Sequence, residues 1–141
     1  MLQVVQGTYS TQTTITSTSY TDTGLTASIT PTSATSKILV ITSEGALGVT
    51  GTNDDRTFYF QLLRDASSVA SRISEINAAV GSNGFKVGFF DGSFVYLDSP
   101  ATTSSITYKT QGKISNAANT TQLRFQVSNT ISTITLMEIA G

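Results

Sequence analysis

The sequence predicts an all-β protein, an antiparallel β-sandwich or jelly roll of about 8–10 short strands, in a single domain spanning residues 1–141. Three observations predict it. Apolar residues recur at every second position in short runs, as in Leu25, Ala27, Ile29 and again in Leu123, Phe125, Val127. That is the period of a half-buried strand. Turn-forming Gly, Pro, Asp and Asn punctuate the chain at intervals of roughly 8–15 residues, the spacing of a sandwich. Ser and Thr together occupy 44 of 141 positions, and Thr favours strands while Ser favours turns and strand ends.

Leu2–Gln6 reads as the first strand. The polar segment Gly7–Ser19 follows, in which Thr14, Thr16 and Thr18 alternate around Ile15 in the manner of an edge strand. Tyr20–Gly24 reads as a turn, with Asp22 and Gly24 supplying Asx bonding and positive φ. The next strand turns Leu25, Ala27 and Ile29 to one face, and Pro31 closes it because proline cannot donate to a ladder. After the loop Thr32–Ser36, the run Lys37–Thr42 (KILVIT) is apolar almost throughout, as in a central strand buried on both faces. Gly45, Gly48 and Gly51 predict fraying or a bulge over Ser43–Gly51, ahead of a loop at Thr52–Asp55.

Thr57–Arg64 is a strand with Phe58, Phe60 and Leu62 on one face and Tyr59, Gln61 and Leu63 on the other. After a turn at Asp65–Ser68, Ser67–Ile76 fits a helical spacing (Val69, Ile73, Ile76) and a strand spacing (Val69, Ser71, Ile73) equally. The weight of Ser and the lack of a cap favour strand or irregular structure. Asn77–Lys86 is a loop. Phe85–Phe90 and Phe94–Leu97 are joined by Asp91-Gly92, a hairpin signal. Ser105–Thr110 alternates as a strand, and Gln111–Asn119 is a polar link. The closing stretch Thr121–Gly141 holds two runs. In the second, Ile134, Leu136 and Glu138 face one way and Thr133, Thr135, Met137 and Ile139 the other. Apolar residues on both faces mark it as the strand the chain is built around.

Charged residues make up 12% of the chain and the net charge is −1. Phosphate binding needs a basic patch, so no nucleic-acid partner is expected. There is no apolar run long enough for a membrane-spanning helix, and Met1–Gln6 lacks the basic and long apolar parts of a signal peptide, so none is expected. The absence of Cys and His excludes disulfides, thiolate zinc sites and the usual catalytic triads, and no cofactor is expected. A carboxylate pair would have to come from Asp22, Glu44, Asp54, Asp55, Asp65, Glu75, Asp91, Asp98 or Glu138. Most of these stand in turns, and nothing sets two at the separation glycoside hydrolysis requires. The expectation is therefore a protein that is not an enzyme. Asn53-Asp54-Asp55 and Asp91-Gly92 offer oxygen ligands for calcium but lack EF-hand spacing, so solvated loops are expected.

Phe85, Phe89, Phe90, Phe94 and Tyr96 read as two strands facing a shared core, with part of the group open to a carbohydrate or another subunit. Glu138 interrupts an apolar run and needs a partner. Lys37, Arg56, Arg64 or Lys109 could supply it, from the same chain or a symmetry-related one.

The stretches LQVVQGTYSTQTTITSTSYTDTGLTASITPTSATSKILVI, SFVYLDSPATTSSITYKTQGKIS and STITLMEIAG, in that order, resemble a module of structural proteins of tailed bacteriophages, especially marine ones. The module is similar in layout to the trimeric jelly rolls of the tumour-necrosis-factor and complement type. The resemblance implies a homotrimer, a place in the virion and no catalytic residues. It implies a trimer interface over Phe89, Phe94, Tyr96, Leu136, Met137, Glu138 and Ile139. Such modules commonly end long fibres. Here the module opens at Met1, so the expectation is either a fragment of a longer fibre or a free-standing small protein that docks on a larger surface. The leading expectation is thus a capsid decoration, or cement, protein whose partner is the major capsid protein or another virion protein. The alternative is a receptor-binding tip of a tail or head fibre, with loops Gly48–Asp55 and Asn77–Gly84 touching host-surface glycan.

Overall fold

A computed structural model describes residues 1–51, 55–77, 85–88, 92–115 and 120–141; for 51, 55–56, 75–77, 85–88 and 121 it describes the backbone alone. Twelve strands run β1 (Gln3–Tyr9), β2 (Thr13–Ile15), β3 (Thr21–Ile29), β4 (Lys37–Ser43), β5 (Leu47–Gly51), β6 (Asp55–Arg64), β7 (Ser67–Asn77), β8 (Phe85–Gly88), β9 (Phe94–Asp98), β10 (Ile106–Ile114), β11 (Thr120–Phe125) and β12 (Ser132–Ile139). Every pairing is antiparallel.

The strands form three four-stranded sheets, ordered β1-β12-β4-β9, β2-β11-β5-β8 and β3-β10-β6-β7. The first two repeat one order: β2 continues β1, β11 leads into β12, β5 continues β4 and β8 leads into β9. They are the two halves of one front sheet, bent across its middle. The third sheet is the back of the sandwich. The chain passes from front to back and returns at each crossing, with β6 and β7 as the one adjacent hairpin pair among the described residues. Front order 1-12-4-9 over back order 3-10-6-7 is the jelly-roll topology.

The alternation read from the sequence is what builds the core. Leu25, Ala27 and Ile29 of β3, Phe58, Phe60 and Leu62 of β6, Leu123 and Phe125 of β11, and Ile134 and Leu136 of β12 all point between the sheets. Phe60 stacks on Phe94 (4.8 Å between ring centroids) and on Phe125 (5.5 Å), tying the back sheet to both front halves. Each Leu, Ile or Phe side chain so taken from water contributes about 1.5–3 kcal/mol.

Three expectations change, and one open alternative closes. Tyr20–Gly24 is not a turn: Thr21–Gly24 open β3, and Gly24 sits at φ +95° with the Tyr9 ring where a side chain would go. Ser67–Asn77 is a strand, paired along β6, which removes the helical alternative. β10 runs on through Gln111 to Ile114. The proposed hairpin around Asp91-Gly92 does not form between its two strands, since β8 pairs with β5 and β9 with β4; position 91 itself lies outside the described residues, as do 52–54 and 78–84.

Candidate interaction face

β12 lies at the centre of its half-sheet, between β1 and β4. Its inward residues Ser132, Ile134, Leu136 and Glu138 are buried, and its outward residues Thr133, Thr135, Met137 and Ile139 are half-buried. The sheet register extends this outward set across all four strands. Val4, Met137, Leu39 and Leu97 stand side by side in one row, and Gln6, Thr135, Ile41 and Val95 in the next. Directly opposed residues have Cβ atoms about 5 Å apart, so each row is continuous. Leu2 and Ile139 widen the apolar area at the β1–β12 end. Val95 is 69% exposed, Leu97 49% and Val4 48%, values far above those of core residues. Lys37 is the one charged residue at these outward positions.

KILVIT is thus buried on only one face within the chain. Ile38, Val40 and Thr42 point in, while Leu39 and Ile41 point out and stay half-exposed. The apolar run carried the signal for this outer face. Val4, Val95 and Leu97 were missed because single apolar residues in short runs look like core.

Of the residues expected at a trimer interface, Met137 and Ile139 point outward. Phe94, Leu136 and Glu138 do not: each is buried between the sheets of one chain. Tyr96 also points inward, opposite Val40, and packs on the core. The physical reason is strand parity, since alternate residues of β9 and β12 must face opposite ways. Phe89 and Phe90 lie outside the described residues, as does the side chain of Phe85.

Glu138 needs neither a cation nor a second subunit. Its Oε2 accepts from Gln3 Nε2 at 2.6 Å, and its Oε1 accepts from the Thr32 N–H and hydroxyl, each at 2.7 Å. Burial alone would raise this carboxyl. Hydrogen bonding from Ser36, Thr32 and Gln3 outweighs it and lowers the group to about 2. The Ser36 hydroxyl is buried and lacks a partner at good geometry, so Thr32 and Gln3 are the firm donors.

The other described carboxylates are each held separately. Asp98 accepts two bonds from Arg64 Nη1 at 2.9 and 3.0 Å and one from the Tyr108 hydroxyl at 2.6 Å. Asp22 bridges Lys109 Nζ at 3.0 Å and Gln111 Nε2 at 2.6 Å. Asp65 accepts the Thr107 N–H at 2.9 Å in the β6–β7 turn. Glu44 sits among hydroxyls at the bend of the front sheet. Asp54 and Asp91, with the calcium loops they were assigned to, lie outside the described residues, as do the side chains of Asp55 and Glu75.

No protein-family model matches the chain, and no curated protein does. Among solved structures it is similar to the structure of infectious bursal disease virus Gx strain, at 11% identity and TM-score 0.49, over 99% of this chain and 33% of that one. It is similar to the VP2 subviral particle of infectious bursal disease virus, at 12% identity and TM-score 0.46, over 96% and 32%. An insecticidal delta-endotoxin from Bacillus thuringiensis follows at 12% and 0.41, over 91% and 19%. The chain spans a third or less of each of these. Superpositions this loose decide nothing about function, and the jelly-roll assignment rests on the strand order.

Proposed function

We propose that the chain is a non-enzymatic structural protein of a tailed-bacteriophage virion: a homotrimeric capsid decoration, or cement, protein that docks on assembled major capsid protein. The observation that carries this reading is the outward face of β1-β12-β4-β9, apolar along the row Val4, Met137, Leu39 and Leu97 and at Ile41 and Val95 beside it, with Lys37 as its one charge. Leaving such a face in water forfeits about 25 cal/mol for each Å² of apolar area. The sequence resemblance to phage structural modules supplies the rest of the reading. Three copies bring Met137, Ile139 and their row neighbours toward a common axis, and the rest of the surface meets the shell. A protein that binds only the assembled lattice stabilises it by mass action.

Sedimentation velocity of the purified protein tests the trimer. The expected result is a mass three times that of the chain, with Val95→Lys/Leu97→Lys sedimenting as a monomer of unchanged β circular dichroism. A wild-type monomer at every concentration rejects it. Gold labelling and copy counting on virions test the docking: hundreds of copies on the head are expected. A few dozen copies at fibre tips would instead assign the chain to host-surface contact.

A further inference from the structure

The front sheet bends where Glu44 stands. Three of its strands break at one level within the described residues: between β1 and β2, between β4 and β5, and between β11 and β12. In the last of these links Gln126, Ser128 and Asn129 take left-handed backbone, with φ of 52°, 58° and 59°. The chain therefore holds an unfavourable conformation in this link, and side chains must over-determine it.

The carboxyl group of Glu44 fills the break. Thr110 Oγ1, from the back sheet, donates to Oε1 at 2.7 Å. Gln126 Nε2 and Ser132 Oγ donate to Oε2 at 3.0 and 2.9 Å. Ser132 Oγ in turn accepts from the Gly45 N–H and from Gln126 Nε2, both at 2.8 Å, and the Thr23 hydroxyl lies 2.5 Å from that of Thr110. The donors all converge on the carboxyl. Only the ionised form, an acceptor at both oxygens, completes this network.

The described groups facing Glu44 are uncharged. Lys109 and Lys113 of β10, Arg124 of β11 and Lys37 of β4 alternate with buried residues and point away. Glu138 is at the far end of β12, bound by Gln3 and Thr32. Tyr108 and Asp98 of the neighbouring strands are bonded to each other, with Arg64 on Asp98. Burial raises the Glu44 carboxyl to about 7, against the pull of Thr110, Ser132 and Gln126. The neutral group brings a proton of its own. Beside it, Gln126 Oε1 is buried with no hydrogen-bond partner, and rotating that amide turns this oxygen to the carboxyl.

We propose that Glu44 is a proton-operated latch on the bend of the front sheet. Ionised, it ties β10, the Gln126 link and β12 together through three donors. On taking a proton from solvent it donates its O–H to Gln126 Oε1, and the turned amide leaves Ser132. The chain has no histidine, the usual side chain for a switch between pH 5 and 8, and Glu44 fills that place.

The test is carbon-13 NMR of glutamate-labelled protein, in which only Glu44, Glu75 and Glu138 report. One carboxyl carbon is expected to titrate with a midpoint of about 7, and the amides of Gly45 and Val127 to shift with the same midpoint. Glu44→Gln removes both changes. Thr110→Val deletes a donor to the ionised form and moves the midpoint up; it decides the matter if Glu44→Gln does not fold. The proposal is overturned if all three carboxyls titrate below about pH 5.5, near the ordinary range. It is equally overturned if Glu44 titrates near neutrality while the bend amides stay still.

Discussion

Buried in β12, the carboxylate of Glu138 is charged because of neutral donors: the Gln3 amide and the Thr32 backbone and hydroxyl. Its folded-state value of about 2 lies below the ordinary 4.5. A depressed value contributes stability that is present above the ordinary value and lost as pH falls toward the folded one. The melting temperature is therefore expected to drop between pH 4.5 and pH 2. In Glu138→Gln it drops less steeply from a lower starting point at pH 7, since one acceptor becomes a donor facing donors; calorimetry across this range checks it. The Tyr108–Asp98 contact makes a second residue-scale case. The Tyr108 hydroxyl is fully buried and donates to Asp98 at 2.6 Å. Burial, then the Asp98 hydrogen bond and charge, raise it far above the ordinary phenol range, so it acts as a donor at every accessible pH. Tyr108→Phe leaves Asp98 its Arg64 bonds and is expected to cost about 1–2 kcal/mol in urea denaturation.

At the scale of the element, Gly24 shows what a strand can require that its composition hides. Asp22 and Gly24 carry the lettering of a turn, yet Gly24 sits in β3 at φ +95°, with the Tyr9 ring 2.2 Å from where a Cβ would be. Gly24→Ala therefore meets both a disfavoured backbone and an occupied site. An expected loss of roughly 2 kcal/mol, read as a lower urea midpoint at unchanged slope, tests this. Strands with clean alternation, β3 beyond Gly24, β6, β11 and β12, were legible from the sequence because one buried face imposes period two. The pairing of β8 with β5 was not, because a local Asp-Gly signal says nothing about a partner 35 or more residues away. The polar sites were hidden for the same reason. Glu44 finds its donors 66, 82 and 88 residues along the chain, and Glu138 finds Gln3 at a separation of 135. In sequence Glu138 looked like an isolated carboxylate wanting a cation, and Glu44 was only one name among nine carboxylates. The outward face was half legible: the apolar run told of two covered faces, but only the register shows that Leu39 and Ile41, not Phe94 and Leu136, occupy the outer one.

For the whole molecule the two buried glutamates act in opposite directions. Glu44 is raised from 4.5 to about 7, so between these values the folded chain holds a proton that the unfolded chain has lost. Its stabilising contribution is complete below 4.5 and is lost as pH rises through 7. Glu138 does the reverse below 4.5, as does Asp22, which burial would raise but Gln111 and Lys109 lower. With no histidine in the chain, no imidazole blurs the result. Stability is therefore expected to peak near pH 5, on the acid side of neutrality, and to decline in both directions. Glu44→Gln removes the decline from pH 5 to pH 8 and leaves the acid limb intact. Calorimetry at fixed low protein concentration checks this, because a self-associating chain gains apparent stability with concentration. A wild-type maximum at pH 8, with a steady fall toward pH 5, would show that the Glu44 carboxyl is not raised.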